Sequence, residues 1–103
     1  MMGAGYEIVG VVNSADEAER TALSEKPDLI VMDIRLVGRR DGIDAALEIY
    51  RKGGIRSIFA TAHADARTRK RAEAAAPLGW LAKPYAMESL TAVVHTALAE
   101  LKK

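Results

Sequence analysis

The run "LIVMD", Leu29–Asp33, is the tightest constraint on what this chain can fold into. Four apolar residues in unbroken succession do not suit a strand with one wet face, which would alternate apolar and polar. Such a strand needs cover on both sides, as in a parallel sheet layered by helices. The run then ends on a carboxylate. A buried charge is costly unless it is paired, metal-bound or partly solvated. Asp33 therefore either caps a turn or stands in a site.

The rest of the chain supplies the layers. Residues 6–12, "YEIVGVV", are apolar and β-branched and read as a strand. Ser14 with Glu17 three residues later is a capping-box pattern, so a helix starts there, with Ala15, Ala18 and Ala22 as a small-residue stripe and Pro27 closing it. Asp41 caps a second helix, whose Ile43, Ala46, Leu47 and Tyr50 fall at i, i+3, i+4 and i+7, and Gly53-Gly54 ends it. Residues 57–62 form a third strand. The stretch "DARTRKRAEAAA" is a short helix with a cationic outer face, begun by Asp65 and stopped by Pro77. Residues 79–83, "GWLAK", form a fourth strand. The last helix starts at Met87 and carries Leu90, Val94, Ala97 and Leu101. Strands alternating with helices predict an α/β domain over residues 1–103, a parallel sheet with right-handed crossovers and helices on both faces.

Composition narrows the function. The 103 residues fit one small domain, and the net charge of +1 gives no bulk case for nucleic acid or anionic lipid. There is no cysteine, which excludes disulfides and thiolate metal sites. No apolar run approaches the ~20 residues needed to span a bilayer. The first ten residues lack the basic region and apolar core of a signal peptide, so the expected location is cytoplasmic.

In parallel sheets ligands bind at the carboxyl ends of the strands. Those ends carry Asp33, Thr61 and Lys83. A carboxylate can act as a nucleophile toward phosphorus, an ammonium can neutralise phosphoryl oxygens, and a hydroxyl can donate to another. Taken singly each residue has a plainer reading: a turn aspartate, an ordinary strand threonine, a solvated lysine. Trp80 alone reads equally well as core. His63 and His95 read as loop and surface residues. Arg39-Arg40 and the group Arg67, Arg69, Lys70 and Arg71 read as solvated faces, the second group open to a protein partner.

The segments "LIVMDIRLVGRRDGIDAALEI", "FATAHAD" and "GWLAKPY" together resemble the receiver domain of two-component response regulators, over nearly the whole chain. The resemblance implies a CheY-like, flavodoxin-like fold, here with four strands and four helices. It implies Asp33 as phosphoacceptor, Thr61 as the switch hydroxyl and Lys83 as the lysine that pairs with phosphate. It also implies Pro84 after a cis peptide bond and Trp80 at the rotating aromatic position. Asp33 and the backbone carbonyl of Arg35 match ligands of Mg²⁺. The donor would be a histidine kinase or phosphotransfer protein, and the output face residues 65–103. The chain would be a signalling module, not a turnover enzyme, with no direct nucleic-acid or membrane partner.

The family's first strand, acidic pair and first helix have no counterpart ahead of residue 6. Three expectations follow: weak Mg²⁺ binding, loss of the neighbour shared by the strands at Tyr6 and Leu29, and a homodimer that completes the sheet. Val37, where these receivers often carry proline, leaves its loop less rigid. The rival reading is a degenerate receiver that stays unphosphorylated and serves as a binding or dimerisation module. A nucleotide-handling enzyme is disfavoured, because no G-x-x-x-x-G-K-[ST] loop follows the first strand.

Overall fold

A computed structural model describes residues 8–9, 14–35, 40–62 and 65–102. Its elements alternate in chain order: β1 (Ile8–Val9), α1 (Ala15–Glu25), β2 (Leu29–Asp33), α2 (Gly42–Gly53), β3 (Arg56–Thr61), α3 (Ala66–Ala72), a 3-10 turn (Glu73–Ala75), β4 (Gly79–Ala82) and α4 (Met87–Leu101). The sheet is parallel with strand order β1-β2-β3-β4. Most of the first strand read over residues 6–12 falls outside the described residues, as do Val37, Arg39 and His63.

The local signals act as read. Ser14 caps α1, its hydroxyl accepting from the Glu17 N–H at 3.1 Å. Asp41 and Asp44 form a reciprocal capping box at the start of α2, both bonds 3.0 Å. Asp65 accepts from the Thr68 N–H at 2.8 Å and starts α3. Gly54 ends α2 at φ 69°, in the left-handed region that glycine enters without penalty.

Strand order explains the layering. Three successive right-handed crossovers in one direction put their helices on one face. There α1, α2 and α3 bury Ala15, Ala18, Ala22, Ile43, Ala46, Ile49 and Ala72 against Ile30, Met32 and Phe59. The chain then turns back, and α4 covers the other face with Val94 and Ala97 against Leu29, Val31, Ile58, Ala60 and Leu81. Leu29, Ile30, Val31 and Met32 alternate between the two layers, which is why all four are apolar. Each such side chain stabilises the fold by roughly 1.5–3 kcal/mol through burial.

Two expectations need correction. No strand stands between those at Tyr6 and Leu29, as expected, but their edges are not left unpaired: β1 pairs directly with β2, Ile8 with Leu29 and Val9 with Ile30. Those strand edges are joined within the chain, because backbone donors and acceptors of a strand buried in a sheet need partners. On α2, Tyr50 is exposed while Ala45 and Ile49 are fully buried. The apolar stripe is wider than the i, i+3, i+4, i+7 reading and turned by one residue, since α2 packs against both α1 and the sheet.

Candidate functional site

Asp33 is the last residue of β2 and its side chain is 16% exposed. Its Oδ1 accepts from the Arg35 N–H at 3.0 Å, a turn bond two residues on. Its Oδ2 meets the Lys83 ammonium, fifty residues away in sequence. Asp33 thus serves the turn and the site at once, one oxygen for each.

Lys83 lies one residue past β4 rather than on it. Its backbone N–H still donates to the Thr61 carbonyl at 3.0 Å. The chain then leaves the sheet at Pro84, which has no N–H to continue the ladder. The Lys83–Pro84 peptide bond is cis.

Thr61 ends β3 and is half-buried. It pairs in register with Ala82, whereas Asp33 pairs with Ala60. With a period of two, Asp33 shares its pleat face with Val31 and Ala60 on the α4 side. Thr61 shares its face with Phe59, on the side of α1 to α3. The structure therefore brings carboxylate and ammonium into contact. It brings the hydroxyl to the same sheet end on the opposite pleat face, tied to Lys83 through backbone.

Trp80 is half-buried beneath α3 and packs against the three-helix layer. Its ring lies 5.1 Å from that of Phe59 at an interplanar angle of 36°, and the Arg69 guanidinium carbon lies 4.8 Å from its centroid. His95 is exposed on α4, as read.

Of the cations read as solvated faces, Arg67 and Lys70 are exposed, whereas Arg40, Arg69 and Arg71 make contacts within the fold. Arg40 reaches α1 from the start of α2, bonding Asp16 and Glu19 at 2.8 Å each, and Lys52 reaches Glu19 from the other end of α2 at 2.8 Å. The hydrogen bond from Lys52, then that from Arg40, holds the Glu19 carboxyl below its ordinary value. Arg71 joins α3 to the first turn of α2 through Asp41 at 2.6 Å and Asp44 at 3.2 Å. Burial pushes the Asp41 carboxyl up, but the Arg71 guanidinium and the backbone N–H groups of Asp44 and Ile43 outweigh it, and the net direction is down.

One residue of the site went unread. A Cβ on Gly42 would stand 2.0 Å from the Asp33 carbonyl oxygen, 2.8 Å from its carbonyl carbon and 2.9 Å from the Ile34 Cα. The Gly42 N–H donates to the Ile34 carbonyl at 2.7 Å. Glycine at the first position of α2 lets the helix press against the strand end that carries Asp33. The signal was the glycine directly after the capping aspartate in "RRDGIDA".

Metal fit can be tested on the donor set. Mg²⁺ asks for octahedral oxygen coordination with one or two carboxylates. Among the described residues no group of three or more His, Cys, Asp or Glu side chains is placed to hold a metal ion. Asp33 brings a single carboxylate, with one oxygen at Lys83 and the other at the Arg35 N–H. These residues do not fit a tightly held Mg²⁺. Among the described residues no helix is long and apolar enough to cross a membrane.

Comparison with known proteins agrees with this fold. Residues 2–95 match the model of the response regulator receiver domain. The chain is 36% identical over 99 residues to the transcriptional regulatory protein PdtaR of Mycobacterium tuberculosis, covering 96% of this chain and 48% of that protein. It is 33% identical over 98 residues to the phyllosphere-induced regulator PhyR of Methylorubrum extorquens, covering 93% of this chain and 36% of that one. The chain thus spans about half the length, or less, of these curated relatives. Among solved structures it superposes with a TM-score of 0.80 on the signal receiver domain of a modulated diguanylate cyclase from Desulfovibrio desulfuricans G20, itself described as an example of alternate folding. That pair is 26% identical and covers 92% of this chain and 94% of that one. Receiver domains are signalling modules rather than typical enzymes, and they generally bind Mg²⁺ at the phosphorylation site. The chain belongs to the response regulator receiver domain family of two-component signalling.

Proposed function

We propose that this receiver accepts a phosphoryl group on Asp33 from a phosphohistidine of a histidine kinase or phosphotransfer protein. The observation that carries the reading is the contact between Asp33 Oδ2 and the Lys83 ammonium at the carboxyl edge of the sheet. An Asp33 carboxylate oxygen forms a bond to phosphorus as the phosphorus–nitrogen bond of the donor imidazole breaks, leaving an acyl phosphate and the neutral imidazole after protonation. Lys83 is then the counter-charge for the phosphoryl oxygens. The Arg35 N–H, already directed at Asp33 Oδ1, orients the nucleophile. The Thr61 hydroxyl is the donor for a phosphoryl oxygen after a local rearrangement across the pleat. Trp80 is the residue whose packing changes with it. Mg²⁺, if engaged by Asp33 and the Arg35 carbonyl, is bound weakly. Output runs through protein contact over residues 65–103, and the name of the transcriptional regulatory protein PdtaR extends the proposal to a role in regulating transcription.

A second reading has its own observation. Among the described residues no group of three or more His, Cys, Asp or Glu side chains is placed to hold a metal ion at Asp33 or elsewhere, which favours a receiver used unphosphorylated as a binding or dimerisation module. Transfer from a radiolabelled phosphohistidine donor separates the two. Label that appears in the parent and disappears in Asp33→Asn supports the phosphoacceptor. A donor that labels a receiver with a full acidic set but leaves this chain unlabelled supports the binding module.

A further inference from the structure

The short helix α3 is tied to its neighbours by two of its arginines. Its seven residues fall short of the ~12–15 that hold an isolated helix in water. Its buried side chain is Ala72. Two cationic contacts tie it to its neighbours. Arg71 donates to Asp41 and Asp44 at the start of α2. Arg69 stands with its guanidinium carbon 4.8 Å from the centroid of the Trp80 ring, within cation–π range. Trp80 in turn rests on Phe59, which is fully buried. Trp80 also stands three residues before Lys83, on the strand whose backbone joins Thr61. The Arg69–Trp80 contact is thus where the strand that leads to the site meets α3.

We propose that Arg69 is a positioning residue that holds Trp80 inward against Phe59 and so couples the place of this ring to the place of α3. The attraction is to the electron-rich face of the indole, so it needs the cation and not merely a long side chain. When the guanidinium is drawn off, the ring loses its outer cover and α3 loses one of these contacts. In the phosphoacceptor reading, on which this last consequence rests, the coupling carries a change at Asp33 and Thr61 to the cationic face of α3, where Arg67 and Lys70 are exposed.

The chain holds one tryptophan, so its emission reports this ring alone. In the unphosphorylated protein, Arg69→Gln is expected to raise acrylamide quenching of Trp80 by about two- to fivefold, the range that an exposed cation–π contact sets. Emission shifts to the red and amide exchange in α3 speeds up by a similar factor, while β2 and β3 exchange as in the parent. Arg69→Lys recovers most of the change, and Arg67→Gln produces none. Parental quenching and parental α3 exchange in Arg69→Gln would overturn the proposal. So would equal quenching in the Lys and Gln variants, a comparison that holds even where the Gln variant is less stable overall. Labelling the parent with acetyl phosphate is a separate arm. An unlabelled Asp33 sinks the phosphoacceptor reading and leaves the Arg69 latch to be judged on quenching alone.

Discussion

Adding one methyl group at Gly42 perturbs the site from behind. The new Cβ would lie 2.0 Å from the Asp33 carbonyl oxygen, and its two next neighbours, at 2.8 and 2.9 Å, are also backbone atoms. No side chain can rotate to relieve the overlap. Either the first turn of α2 lifts off or the Asp33–Ile34 peptide tilts, by more than an ångström in each case. Either movement breaks the 2.7 Å bond from the Gly42 N–H to the Ile34 carbonyl, which contributes about 1 kcal/mol. Overpacking adds about 1–3 kcal/mol. Alanine's gain over glycine, in helix propensity and unfolded-state entropy, returns about 1 kcal/mol. The balance is a loss of about 2 kcal/mol. For a chain of this size that lowers the melting midpoint by roughly 8–16 °C. Thermal unfolding followed by circular dichroism reads it, with Gly54→Asn as control. Gly54 has the left-handed φ but nothing within 4 Å of a built Cβ, and asparagine tolerates that conformation. A Gly42→Ala midpoint within 2 °C of the parent would refute the reasoning about close approach, and so would a raised one.

Other expectations follow from single side chains. Ser57 is 1% exposed and its hydroxyl has no hydrogen-bond partner, so Ser57→Ala is expected to leave stability unchanged or raise it by up to about 1 kcal/mol in urea unfolding; a loss of that size would contradict this. Glu19 and Asp41 have carboxyls held below their ordinary values of 4.5 and 3.8. Their contribution is therefore fully present above those values and is lost as pH falls through the lower folded ones. Glu19→Gln and Asp41→Asn should flatten the acid limb of a stability–pH curve below about pH 4.5, and a limb of unchanged slope in both would count against the network. Asp33→Asn removes a pair that is 16% and 37% exposed, so its stability is expected to change by less than about 1 kcal/mol. A larger fall in the denaturation midpoint would mean that the carboxylate has a structural duty beyond the turn.

Much of this fold can be read without coordinates because its signals are local. The caps Ser14, Asp41 and Asp65, the stop at Gly54 and the apolar run into Asp33 each act within a few residues of where they stand. The parallel sheet follows from alternation, and the Asp33–Lys83 contact from the rule that strand ends carry the site. What escaped reading depends on contacts between distant segments. Gly42 matters because of a backbone atom nine residues earlier. Arg40, Arg69 and Arg71 look like solvated cations in a string of letters, and only packing shows which carboxylate or ring each one meets. The spacing puts Tyr50 on the inner face, because four apolar positions at helical spacing look alike whichever side the neighbours lie. The direct pairing of β1 with β2 has no local signature, since strand order is set by which edges find partners.

The central claim is that Asp33 takes a phosphoryl group, and intact-protein mass after incubation with acetyl phosphate in Mg²⁺ buffer tests it most directly. The account predicts that the parent gains one phosphoryl group, that the gain is lost on mild base treatment as an acyl phosphate requires, and that Asp33→Asn gains nothing. A parent that stays at its starting mass while a receiver with a complete acidic set is labelled alongside would contradict the account and leave this chain a binding module.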